Sequence, residues 1–202
     1  MLVQLLVSPH IEVVEQAIWG LGNIAGDSYK VRDLVINEGA IQPIATILDR
    51  AQPGSSFVRN ASWTLSNLCR GRPPPEFSKV ARAIASLSKV LIENDLDDIL
   101  IDVCWAMSYL SDGGEERIPT ILQTGVLPRL VQLLQHPNIA ISVPCLRSIG
   151  NIVTGDDEQT QLVIEAGALQ ALNELIFNKK KTVRKEVCWS LSNITAGSVE
   201  QI

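Results

Sequence analysis

Trp63-Thr-Leu-Ser-Asn67 has four counterparts along the chain: Trp19-Gly-Leu-Gly-Asn23, Trp105-Ala-Met-Ser-Tyr109, Arg147-Ser-Ile-Gly-Asn151 and Trp189-Ser-Leu-Ser-Asn193. Their first residues step by 44, 42, 42 and 42 positions. Self-similarity at about 40–47 residues marks stacked helical repeats. Residues at i and i+4 lie on one face of a helix, so each stretch places a ring and an amide side by side. All four tryptophans of the chain sit at this one repeat phase. Stacking the repeats therefore predicts a ladder of aromatic rings and amides.

Around the ladder each repeat reads as three helical pieces. A polar first helix over 115–123 ends at Gly125, a residue suited to the left-handed position that closes a helix. A second helix over 126–135 carries Leu127, Leu130, Leu133 and Leu134 at helical spacing. His136-Pro137-Asn138 breaks it, and a third helix over 139–153 carries the Arg147/Asn151 pair. Gly39 and Gly167 open second helices as Gly125 does, and Pro9, Pro53 and Pro137 mark the breaks. Gly26, Gly71, Gly113, Gly155 and Gly197 follow the third helices, and Arg72-Pro73-Pro74-Pro75 predicts an extended connector. Such units bury their apolar faces only against neighbours. The expectation is all-α: one right-handed superhelical solenoid over 1–202, three helices per repeat, the third helices lining a concave surface. Its repeats run 1–27 (partial), 28–71, 72–113, 114–155 and 156–197, with 198–202 starting a further one. The apolar start Met1-Leu2-Val3-Gln4-Leu5-Leu6 falls inside a second helix, which suggests a segment of a longer solenoid or a truncated product.

Composition narrows the function. The formal net charge is −5, which speaks against a nucleic-acid binder and leaves room for a basic partner. Cys69, Cys104, Cys145 and Cys188 form no CxxC and read as buried thiols of a reducing compartment rather than as metal ligands or disulfides. No apolar run is long enough to span a membrane, and no cofactor is expected. His10 and His136 lie beside prolines with no nucleophile motif near them, so no catalytic set is assigned and the chain reads as a non-enzyme. Lys179-Lys180-Lys181 reads as a solvated loop.

An exposed ring-and-amide face suits an extended peptide. Asn side chains donate to and accept from a backbone without reading its sequence. Lys or Arg stems can lie against the rings, with cation–π attraction of roughly 0.5–2 kcal/mol each. Asp102 stands three residues before Trp105 and Glu186 three before Trp189, which puts an acid beside each ring. Asp27, Asp112, Asp156 and Asp157 follow third helices, where they either select cationic tips or cap the next helix. Arg147 interrupts the ladder, repelling a ligand cation and pairing with acids of a ligand or of the protein itself.

The succession of these stretches, with Cys104-Trp-Ala-Met-Ser-Tyr-Leu-Ser-Asp112 followed by Arg147-Ser-Ile-Gly-Asn-Ile-Val-Thr-Gly155, resembles the central armadillo repeats of the importin α family. The resemblance implies an adaptor for nuclear import, in cytoplasm and nucleus, that binds Lys/Arg-rich nuclear localisation signals in extended form. It assigns Trp19, Asn23, Asp27, Trp63, Asn67 and Trp105 to a major signal site, with Asp102 and Tyr109 at its far edge. Val153, Thr154, Thr160, Glu186, Trp189 and Asn193 match the near half of a minor site, and Arg147 and Asn151 the linker region between the two. The family also implies importin β as partner, although the segment that binds it has no counterpart in this sequence. A general armadillo interaction scaffold and a truncated, non-functional fragment are the alternative readings.

Overall fold

A computed structural model describes residues 1–114 and 116–201, with Glu200 described by its backbone alone. Among these residues the regular structure is helical: α1 (Leu2–Leu5), α2 (Ile11–Asp27), α3 (Tyr29–Asn37), α4 (Ile41–Arg50), α5 (Ser56–Cys69), α6 (Phe77–Val80), α7 (Arg82–Glu93), α8 (Asp97–Leu110), α9 (Arg117–Leu122), α10 (Leu127–Leu133), α11 (Ile139–Ile152), α12 (Asp157–Glu165), α13 (Ala168–Leu175) and α14 (Lys181–Ile194), with a final 3-10 turn at Val199–Gln201. The chain divides into two compact units, Met1–Leu110 and Ser111–Ile202.

In the first unit the ladder helices stack in sequence order, α2 on α5 and α5 on α8, while α4 packs against α7 in a second layer. Ile18, Leu65, Leu68, Leu87, Leu91 and Met107 are among the largest fully buried side chains between these layers. In the second unit α11 packs on α14, with α10 and α13 each against the ladder helix that follows it. Leu130, Leu134, Ile149, Ile152 and Leu172 fill that core.

Local sequence explains the helix ends. Gly39, Gly125 and Gly167 adopt left-handed φ values of 82°, 71° and 85°, which closes α3, α9 and α12 where the sequence places their ends. The Ser55 side chain accepts from the backbone N–H of Val58 and starts α5; Asn138 does the same for α11 through Ala140. Asp156 and Gln159 form a capping box on α12, so Asp156 caps a helix rather than serving a slot.

Several expectations are corrected. Gly26 lies inside α2 rather than after it. The predicted start of the 115–123 helix lies outside the described residues, and α9 occupies its later part. The prolines at 73–75 leave no helix before Phe77, and the first helix of that repeat shrinks to the four residues of α6. Cys69, Cys104 and Cys145 are buried as expected, but Cys188 is exposed.

Arg32 escaped the sequence reading. It is a fully buried cation on α3, held by Asp33 Oδ1 at 2.8 Å and donating to the carbonyls of Arg70 (2.7 Å) and Pro73 (2.9 Å). A buried guanidinium is tolerable only with such extensive pairing, and here it ties the proline connector to the preceding repeat.

Candidate functional site

Glycine sets how two of the tryptophan rungs meet the helix before them. A Cβ on Gly22 of α2 would run into the Trp63 ring and lie 2.5 Å from Thr64 Oγ1. A Cβ on Gly150 of α11 would lie 2.5 Å from Trp189 Cζ3. The ring of one ladder helix thus rests on a bare backbone patch of the helix before it, three residues past that helix's own rung. Trp63 is half-buried on this seat, while Trp19, at the first rung, is 53% exposed.

The amides behave differently from the expectation of an open row. Asn67 and Asn151 are only 8% and 6% exposed. Asn67 Nδ2 donates to the Gly22 carbonyl at 3.2 Å, next to Thr64 Oγ1, which donates to Ile18 O at 3.0 Å. Asn151 Nδ2 donates to Ser111 Oγ at 2.9 Å within the second unit. Both amides therefore brace a neighbouring element. Asn23 is exposed and turns back onto Trp19 O of its own helix, at 3.0 Å. Asp27, at the end of α2, is exposed.

On α8, Trp105 and Tyr109 stack with ring centroids 5.8 Å apart and planes 25° apart. Burial pushes the Tyr109 hydroxyl up in pKa, against the opposing charge of Arg70. Asp102, half-buried beside them, is pushed up to about 6 by burial and then by the like charge of Asp98. Asp98 has its own cation, Arg59, at 2.6 Å; Asp102 has none among the described residues.

Because the folded value of Asp102 exceeds the unfolded 3.8, the folded chain holds the proton more tightly. Its contribution to stability therefore rises as pH falls through about 6 and is complete below the unfolded value. A bound cation favours the carboxylate, so affinity for a basic ligand is expected to weaken over the same descent. Carbon NMR of the Asp102 carboxyl should titrate near pH 6 and shift lower with a basic peptide bound. A midpoint at the ordinary value of about 4 would contradict this placement.

In the second unit the fourth rung reaches for the fifth. Arg147 Nη2 donates to Glu186 Oε1 at 2.7 Å, and its guanidinium carbon lies 5.7 Å from the centre of the Trp189 ring. The pairing with an acid of the protein itself is one of the two anticipated for Arg147. Glu186 Oε2 and Asn193 Nδ2 are buried with no hydrogen-bond partner among the described residues. Thr154 is exposed, donates to Asn151 O at 2.6 Å, and lines a hollow of about 700 Å³ with Gly155, Asp156 and Gln159. Val153 and Thr160 are buried, at 2% and 3% exposure, beside α11 and in α12.

Stacked helical units whose ladder helices carry aromatic and acidic residues define a helical repeat protein. The Armadillo/beta-catenin-like repeat matches residues 1–26, 28–70, 114–154 and 156–196, and the chain belongs to that family. Residues 71–113 fall outside the matched stretches, and that segment contains the proline connector and the shortened α6. Within the family the chain is similar to importin α subunits. It is 51% identical to importin subunit alpha-1b of Oryza sativa subsp. japonica, over 93% of this chain and 35% of that protein. It is 49% identical to importin subunit alpha-1a of the same plant, over 99% of this chain and 38% of that protein. Importin subunit alpha-3 of Arabidopsis thaliana is 48% identical over 93% of this chain, which again spans 35% of the relative.

Among solved structures, a designed armadillo repeat protein superimposes with a TM-score of 0.89 at 29% identity, covering 99% of this chain and 83% of that one. A second designed armadillo repeat protein, solved in complex with the peptide (KR)4, gives a TM-score of 0.86 at 28% identity with the same coverage.

Proposed function

We propose that the chain works as a nuclear import adaptor, holding Lys/Arg-rich localisation signals in extended form along its Trp-bearing face and catalysing no reaction. It would act in cytoplasm and nucleus. Trp19, Asn23, Asp27, Trp63, Asn67, Asp102, Trp105 and Tyr109 form the major contact set in this reading, and Val153, Thr154, Thr160, Glu186, Trp189 and Asn193 the second, with Arg147 and Asn151 between. An importin β partner belongs to the same reading, with no described residue assigned to it.

One observation carries the proposal. The acid–ring pair Glu186/Trp189 holds a guanidinium in this fold, and Asp102/Trp105 repeats the pair at the same i, i+3 spacing with no cation paired to it among the described residues. A ligand Lys or Arg would complete it. Similarity to importin α subunits and to a designed relative solved with (KR)4 supports the same ligand chemistry.

Calorimetric titration with (KR)4 tests the reading. Binding should weaken steadily as salt rises from 0.05 to about 0.5 M, since the Debye length shrinks from over 10 Å to a few ångströms. An acidic (DE)4 peptide should not compete. Binding that is indifferent to salt, or equal for both peptides, would turn the assignment toward a general scaffold.

A further inference from the structure

The rung that lacks tryptophan does more than interrupt the row. Arg147 leaves α11 and places its guanidinium on α14, against the Trp189 ring and the Glu186 carboxylate at once. These are the two contacts that a ligand's cationic side chain would make at a ring–acid slot: the ring face for the charge and its stem, the carboxylate for the tip.

We propose that Arg147 is a resident ligand of the Glu186/Trp189 slot, an internal competitor that a peptide Lys or Arg has to displace before this rung can bind. The proposal rests on the peptide-binding reading above and adds a graded order to it: the Asp102/Trp105 slot stands ready, and the Glu186/Trp189 slot is closed until its own arginine moves.

The exposure of the pair suits displacement. The Arg147 side chain keeps 49% of its surface in solvent, so it can swing away without unpacking the core, whereas Glu186 keeps 22% and stays in place. Arg147 is also an incomplete occupant. It satisfies Glu186 Oε1 and leaves Glu186 Oε2 and Asn193 Nδ2 buried and without hydrogen-bond partners among the described residues. Buried polar atoms without partners are costly. A peptide brings a cationic tip for the carboxylate and a backbone carbonyl for the amide, and so can satisfy what the resident arginine leaves open. Trp189 is held for either occupant by its seat on Gly150, which belongs to the same helix as Arg147.

The experiment uses the full 202-residue chain labelled with 5-fluorotryptophan, which gives four fluorine signals; Trp189→Phe assigns the one of interest. Each signal is followed while (KR)4 is added to the wild type, to Arg147→Gln and to Arg147→Gln combined with Glu186→Gln. In Arg147→Gln the peptide concentration that half-shifts the Trp189 signal should fall about two- to fivefold, the scale of one solvent-exposed cation–π contact, and the double variant should lose that gain. Without peptide, Arg147→Gln should already move the Trp189 signal, because the guanidinium leaves the ring. A stationary Trp189 signal there, or an unchanged or higher midpoint while the Trp19 and Trp63 signals still respond, overturns the resident-ligand proposal and leaves peptide binding standing. If none of the four signals responds to peptide in any variant, both fall.

Discussion

Gly22→Ala is expected to destabilise the chain by about 2 kcal/mol, against the ordinary helix preference for alanine. In an open helix the change would gain up to about 1 kcal/mol. Here the new methyl enters the space of the Trp63 ring and of Thr64 Oγ1, and overpacking of this kind costs roughly 3 kcal/mol when the neighbours cannot give way. Gly20, two residues earlier on α2, provides the control: a Cβ there meets only Leu2 Cδ1 at 3.8 Å, an ordinary contact. Gly20→Ala should therefore leave stability unchanged or raise it. Thermal unfolding followed by circular dichroism separates the pair, with the Gly22 variant lower by about 5 °C. Equal melting of the two variants would mean that Trp63 does not rest on Gly22.

Trp63→Ala is expected to have the larger effect on ligand. An aromatic anchor at the centre of a contact row commonly contributes 2 kcal/mol or more, so affinity for (KR)4 should fall about 30-fold or beyond. The ring also packs on α2, and part of any loss could come through the fold. Melting curves at the titration temperature control for that, and Trp19→Ala offers a comparison at a rung whose ring is more exposed. Affinity within twofold of wild type for Trp63→Ala would remove the central rung from the peptide path.

Much of this fold is written at short range. The Trp/Asn spacing, the glycines at 39, 125 and 167 and the breaks at Pro9, Pro53 and Pro137 place the helices because periodicity and left-handed turns are local properties. What stayed hidden depends on partners about forty residues away. Asn67 reads as an open amide until the Gly22 carbonyl is beside it, and nothing local to Arg32 signals the carbonyls of Arg70 and Pro73 that hold it. One signal was available and unused. Gly22 and Gly150 both stand immediately before an Asn rung and one repeat ahead of a Trp, and a glycine in mid-helix asks for a neighbour that comes close.

The seats beneath Trp63 and Trp189 also bear on how such a chain could be rearranged. A repeat whose ladder helix carries tryptophan can follow only a repeat that ends in a small residue at the seat, as α2 does with Gly22 and α11 with Gly150, and as α5 could with the small, buried Ser66. Repeats are therefore not interchangeable beads. Duplication, deletion or shuffling at the gene level preserves the row only where socket meets peg, and the order of rungs becomes a heritable property of adjacent pairs rather than of single repeats.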